Sequence, residues 1–193
     1  MRILWLGLCG GFLAACCASL QTTIPAHPIQ RLYHESGRPI CTTFAVPEGW
    51  VTASHCTQMG PVTVGGLPTR LVRNDPAADL ALLAVDHPTK PFQVARIDPP
   101  LGAAVTVTGF IPQSGDLPII FFGHISSLST VLPNVVTGTD TVMLLHEGGG
   151  PGTSGAPVMY EGRVVGVVRA GFETPSVMVL AVPTATLRAF LRQ

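Results

Sequence analysis

The stretch Cys41-Thr42-Thr43-Phe44-Ala45-Val46-Pro47-Glu48-Gly49-Trp50-Val51-Thr52-Ala53-Ser54-His55-Cys56 decides the fold. Cys41 to Val46 is a short apolar run of strand length, Pro47-Glu48-Gly49 is a turn, and Trp50 to Ala53 is a second strand. The pair reads as a β-hairpin. The same pattern repeats downstream at Val62 to Val64, Thr69 to Arg73 and Leu80 to Val85. After a proline-rich stretch at 88–100 it resumes at Ala104 to Phe110, Ile119 to Ser126, Thr141 to His146, Arg163 to Arg169 and Val177 to Val182. Only Thr184 to Gln193 has a helical look. Short strands at regular intervals, punctuated by Gly and Pro, indicate a sandwich or barrel. The proline-rich stretch splits the strands into two sets, and so into two barrels.

Composition agrees. The 193 residues include 21 Gly and 18 Pro, which helix interiors tolerate poorly. Lys plus Arg and Asp plus Glu number 11 each, so only 11% of the chain is charged and the net charge is zero. That balance excludes the basic face of a nucleic-acid binder. The 47% hydrophobic content excludes a disordered chain. No CxxC, HExxH, Walker loop or GxGxxG is present, and the carboxylates are scattered, so neither a metal nor a cofactor is expected.

One segment is apolar enough to concern a membrane: Met1 to Leu20. Met1-Arg2, the apolar run Ile3 to Leu13 and the small residues after it have the layout of a secretory signal peptide. Leu13-Ala14-Ala15-Cys16 resembles a bacterial lipobox, which implies cleavage before Cys16 and its lipidation; an ordinary cleavage near Cys17 or Ala18 is the alternative. The expected organisation is a signal peptide at 1–15, a tether at 16–30 and one folded domain at 31–193. Its first barrel spans about 31–98, its second about 99–183, and the helix closes the chain. Export places the protein in the cell envelope or outside the cell, in an oxidising compartment where Cys41 and Cys56 can pair. Two unrelated thiols are the alternative.

Three segments carry chemistry: Thr52-Ala53-Ser54-His55-Cys56 at a strand end, Asp79-Leu80-Ala81-Leu82-Leu83 opening a strand, and Gly150-Pro151-Gly152-Thr153-Ser154-Gly155-Ala156-Pro157, a glycine-rich loop. Singly, each has a bland explanation: a packed histidine, a strand-end aspartate, a turn. Their order, His then Asp then Ser, is one in which catalytic triads occur. Together the segments resemble the histidine, aspartate and nucleophile motifs of the chymotrypsin-like serine peptidases, in particular their compact bacterial, HtrA-like branch. Val164-Val165-Gly166-Val167-Val168-Arg169-Ala170-Gly171 resembles the strand lining the family's substrate cleft. The resemblance covers about residues 31–191.

It implies an all-β double barrel: two six-stranded antiparallel barrels with a short C-terminal helix. It implies Ser154 as nucleophile, His55 as general base and Asp79 as the group that orients His55. The N–H groups of Gly152 and Ser154 form the oxyanion hole, and Cys41–Cys56 is the disulfide around the histidine. Gly148, Arg169, Ala170 and Gly171 line the substrate pocket. The chain departs from the family at three points. Thr153 stands where zymogen-activated members have Asp, so activation by a new N-terminus is not expected. No PDZ-like region follows. Arg169 replaces a small or polar residue, and its side chain can lie beside Asp79 or at the mouth of the pocket. Gly148 on the pocket floor favours a small or medium apolar side chain before the cut; an acidic one, met by Arg169, is the second choice.

The function expected is therefore a secreted or membrane-tethered serine endopeptidase. It would be a monomer acting on peptides or proteins, with a lipid anchor as its one link to the membrane. Two other functions compete. One is a non-catalytic binding module on the same fold. The other is an esterase, disfavoured because Pro157 replaces the last glycine of the usual esterase elbow.

Overall fold

Among the described residues, thirteen strands and one α-helix follow one another: β1 (Ile29–His34), β2 (Pro39–Val46), β3 (Gly49–Thr52), β4 (Val62–Val64), β5 (Leu67–Pro68), β6 (Arg70–Asp75), β7 (Leu80–Ala84), β8 (Ala104–Gly109), β9 (Ile119–Thr130), β10 (Val142–Glu147), β11 (Pro157–Tyr160), β12 (Arg163–Glu173), β13 (Val177–Pro183) and α1 (Thr184–Arg192). The computed structural model describes residues 27–130, 142–147, 149–173 and 177–193. The expected signal peptide, Cys16, most of the tether and Gly148 lie outside the described residues. Among those described, no helix is long and apolar enough to cross a membrane.

β1 to β7 form a seven-stranded antiparallel sheet in the order β5-β4-β1-β2-β3-β7-β6. Its two edge strands, β5 and β6, are separated in the chain by Thr69 alone. The sheet must therefore curl until its edges approach, although no ladder joins them. Pro68, which has no N–H to donate, belongs at such an edge. β8 to β13 form a closed six-stranded barrel in the order β10-β13-β12-β11-β8-β9. The double-barrel expectation holds, with the first barrel curled but unzipped along one seam. Ordered structure also starts earlier than expected: β1 begins at Ile29, inside the stretch assigned to the tether.

One apolar cluster bridges the halves. Phe44, Val51, Leu80 and Leu82 from the first sheet pack with Val164, Val167 and Val182 from the second, and Leu187 and Phe190 of α1 fill the same cluster. The helix thus acts as a plug rather than an appendage. Its start is tied to the inter-barrel segment, where Thr184 donates its N–H to Asp98 at 3.1 Å. Each buried Leu or Phe contributes roughly 1.5–3 kcal/mol. This shared core holds the two halves together, and the triad candidates are divided between them.

Candidate active site

His55 and Asp79 come from the first sheet, Ser154 from the second. β3 ends at Thr52, and Ser54–Thr57 form a single 3-10 turn that presents His55. The Cys41–Cys56 disulfide ties this turn to β2, so the two cysteines are paired. Ser54, fully buried beneath the turn, donates to Asn74 of β6 at 2.7 Å.

Asp79 sits just before β7 with φ of 55°, a left-handed backbone uncommon for a residue with a Cβ. The preceding turn is held by Asp75, whose carboxylate accepts the Ala78 N–H at 3.0 Å. The resulting kink aims the buried Asp79 carboxylate at His55. One oxygen accepts the His55 backbone N–H at 2.9 Å, and Nδ1 lies 2.9 and 3.1 Å from the two oxygens. An ionised carboxylate only accepts, so Nδ1 carries the proton and Nε2 is left as the basic nitrogen. The imidazole is 43% exposed, so solvent reaches the ring.

Ser154 lies on the loop between β10 and β11. Its hydroxyl donates to the Arg169 carbonyl at 3.5 Å, its single hydrogen bond among the described residues. Contact with His55 is therefore not closed in this state, and in unliganded sites such bonds are often long. The loop's form is over-determined. Gly152 has φ of +91°, and a Cβ there would stand 2.6 Å from the Phe110 carbonyl oxygen. Gly155, also in the left-handed region, presses against Thr42 and Thr52 with no room for a Cβ. Among the described residues, neither the Gly152 N–H nor the Ser154 N–H has a protein acceptor, whereas Thr153, Gly155 and Ala156 all donate to backbone carbonyls.

Two threonines that the sequence did not single out hold this loop. Thr42, fully buried in β2, donates its N–H to the Ser154 carbonyl at 2.9 Å and its hydroxyl to the Gly152 carbonyl at 3.1 Å. Thr153 donates its hydroxyl to the Gly150 carbonyl at 2.7 Å and accepts the Gly150 N–H at 3.3 Å. It thus braces the loop locally, at the position where zymogen-activated relatives would place an ion pair. Their signal in the sequence is weak: polar residues among apolar or glycine neighbours.

Of the two places expected for its side chain, Arg169 has its Nε beside Asp79. Its Nε is 3.5 Å from an Asp79 oxygen, and the two side chains are 3% and 8% exposed. A β-bulge explains the direction. Val168 pairs with Ala181 and Ala170 with Leu180, leaving Arg169 as the extra residue of β12. The bulge lets Val168 and Arg169, neighbours in sequence, both point into the protein. Burial pushes the guanidinium's pKa down, and the Asp79 charge pushes it back up. Ala170 and Gly171 continue the strand past Ser154, half-buried and exposed in turn. Gly149 packs on Val179 of β13, since a Cβ at 149 would come 2.9 Å from a Val179 methyl.

This arrangement of histidine, carboxylate and serine across two β-barrels coincides with a match to the trypsin-like peptidase domain model over residues 41–167. The chain belongs to the trypsin-like peptidase family. That family is one of serine peptidases, hydrolases of peptide bonds.

Solved structures share the fold of this trypsin-like domain. The active form of the Rv3671c protease from M. tuberculosis superposes with a TM-score of 0.69 at 23% identity, covering 85% of this chain and 78% of the other. The MamO protease domain from Magnetospirillum magneticum gives 0.67 at 22% identity, covering 88% and 98%. The HtrA-type protease AlgW, solved with a decapeptide, gives 0.68 at 19% identity, covering 86% and 64%. An uncharacterized protein of Sinorhizobium fredii, y4bJ, is 35% identical over 104 residues; the match takes in 53% of this chain and 16% of that protein's length.

Proposed function

We propose that this trypsin-like domain is an exported serine endopeptidase that works through His55, Asp79 and Ser154. The observation that carries the proposal is the double grip of the Asp79 carboxylate on His55, at the backbone N–H and at Nδ1. It fixes the one tautomer in which Nε2 can take a proton. In the first step Nε2 removes the Ser154 hydroxyl proton as Oγ attacks the scissile carbonyl carbon. The carbonyl oxygen, now negative, is met by the N–H groups of Gly152 and Ser154, which have no protein acceptor to give up among the described residues. The imidazolium, stabilised by Asp79, passes its proton to the leaving amine. An ester on Ser154 remains, and water attacks it by the same steps in reverse.

Substrates are peptides or proteins, with a small or medium apolar side chain before the cut. Placement of the Arg169 guanidinium against Asp79 leaves the acidic alternative without its cation. The Cys41–Cys56 bridge supports export to an oxidising compartment. In this proposal residues 1–15 are a signal peptide, Cys16 carries lipid, the segment to Gln30 is mainly tether, and the protein is a monomer in the cell envelope.

One observation favours the non-catalytic alternative: the Ser154 hydroxyl turns to the Arg169 carbonyl and not to His55. A fluorophosphonate probe decides. Labelling of the full chain that disappears in both Ser154→Ala and His55→Ala is the expected result, followed by cleavage of peptides ending in Ala or Val. Absence of labelling in a folded wild-type chain would leave the binding module standing.

A further inference from the structure

Arg169 is unusual among the residues around the site. It is a cation, it is buried, and it touches the carboxylate that the mechanism needs. Its backbone carbonyl also receives the Ser154 hydroxyl, so one residue of β12 contacts two of the three triad candidates. We propose that Arg169 is a positioning residue whose fixed positive charge, delivered to Asp79 by the β12 bulge, sets the acid limb of the reaction's pH profile. The proposal rests on the assignment of His55 as the base.

The argument is electrostatic. Asp79 stands between two cationic partners: Arg169 on one side, and His55 on the other once it takes the serine proton. Arg169 is always charged in practice. It therefore neutralises much of the carboxylate's field before His55 accepts anything. A nearby cation disfavours a second one, so the Arg169 charge weighs against the imidazolium that forms beside Asp79, and the reaction keeps its rate further into the acid range with Arg169 than without it. Geometry contributes as well: the same Asp79 oxygen lies 2.9 Å from His55 Nδ1 and 3.5 Å from Arg169 Nε.

No other described charge competes for this role. The neighbours of His55 along the 3-10 turn are uncharged: Ser54, hydrogen-bonded to Asn74 of β6, and Cys56, bridged to Cys41 of β2. The Asp75 carboxylate turns to the Ala78 N–H, and Arg73 turns to the Phe190 carbonyl at the far end of α1. Arg169 of β12 is the one described cation in contact with the Asp79 carboxylate.

The test is the rate of fluorophosphonate labelling against pH, measured on the full chain and on Arg169→Gln, Arg169→Met and Arg169→Lys. Labelling needs no knowledge of the substrate. In the two neutral variants the acid limb should move up by about one pH unit, so that labelling on that limb falls about tenfold. Arg169→Lys keeps the charge and should hold the limb near its wild-type position. A limb that stays in place in both neutral variants, or that moves as far in the lysine variant, overturns the proposal. Gln and Met differ in polarity and packing, so a folding defect in one leaves the other to decide. Failure of the wild type to label at Ser154 would instead remove the peptidase assignment beneath it, and the proposal with it. That outcome is distinct from a labelled enzyme whose profile does not respond.

Discussion

The Thr42 hydroxyl donates to the Gly152 carbonyl at 3.1 Å, so a residue of the first sheet fixes a peptide of the nucleophile loop in the second. The same hydroxyl accepts the Phe110 N–H at 3.0 Å, and the Thr42 N–H reaches the Ser154 carbonyl. A fully buried side chain thus sets the orientation of the loop whose N–H groups would meet the oxyanion in the proposed mechanism.

Thr42→Val keeps the shape and removes both hydroxyl bonds. The Phe110 N–H then loses its acceptor in a buried place, which costs about 1–3 kcal/mol. The expected outcome is a stability loss of that size in urea unfolding. Labelling by a fluorophosphonate should slow by about tenfold or more, because the loop is less firmly held. Loss of stability with unchanged labelling would show that Thr42 serves the fold alone.

Gly152→Ala tests the loop directly. The positive φ and the approach of the Phe110 carbonyl leave no space for a methyl group, and the obstacle is backbone, which cannot swing aside. The peptide must turn, and the N–H turns with it. Loss of one oxyanion donor typically slows acyl transfer by about 10²–10³-fold. The variant should fold, bind peptide with little change in KM, and lose kcat by roughly that factor.

Most of the fold was legible because strands of a small barrel announce themselves by short apolar runs between turns. β2, β3, β7, β8 and β13 are such runs. β1 was missed because Ile29–His34 reads IQRLYH, mostly polar, although Arg31 is buried. Its guanidinium donates to the Ile111 carbonyl at 2.9 Å and lies over the Phe110 ring at 5.1 Å, and these partners come from eighty residues downstream. No local pattern encodes that compensation. The triad candidates were legible from their motifs and order. Thr42 and Thr153 were not, because a threonine in a strand or loop shows its purpose only through its partners. Arg169 lay between: the resemblance of Val164 to Gly171 to the family's cleft strand located its backbone, but the bulge that turns its side chain inward depends on the pairing of β12 with β13.

Asp79→Asn separates structure from catalysis. In most settings this change removes a charge and little else. Here it would leave Arg169 buried opposite an amide, and breaking a buried pair from one side typically costs about 3–5 kcal/mol. The expected outcome is a clear loss of stability in the single variant and partial recovery in Asp79→Asn with Arg169→Gln, read as a coupling energy by a double-mutant cycle in urea. Additive losses would mean that the pair contributes nothing beyond its packing.

The disulfide predicts a difference between the redox states. Cys41 and Cys56 are 15 residues apart in sequence and join β2 to the turn that carries His55. A loop of that size stabilises by about 3 kcal/mol in the chain-entropy model. Cys41→Ala with Cys56→Ala should unfold at lower urea by that margin and should no longer respond to reductant. Its labelling rate at low urea should fall less than its stability, because the Asp79 contacts to His55 remain.

Pocket size supplies the last test. Val179 is buried on β13 and packs against Gly149, a few residues before Ser154; by the family resemblance, the proposed pocket for the side chain before the cut lies here. A branched residue there narrows the space, and the absence of a side chain at 149 is what lets it fit. Val179→Ala removes two methyl groups from that wall. The stability loss should be modest, about 1–2.5 kcal/mol, as for other buried truncations. Selectivity should move the other way. One methylene of fit in an apolar pocket changes kcat/KM by about 10–200-fold. Peptides ending in Leu or Met should therefore gain on those ending in Ala by at least about tenfold. An unchanged order of preference in a folded, active variant would place the pocket elsewhere and leave the Gly149–Val179 contact as packing of the second barrel.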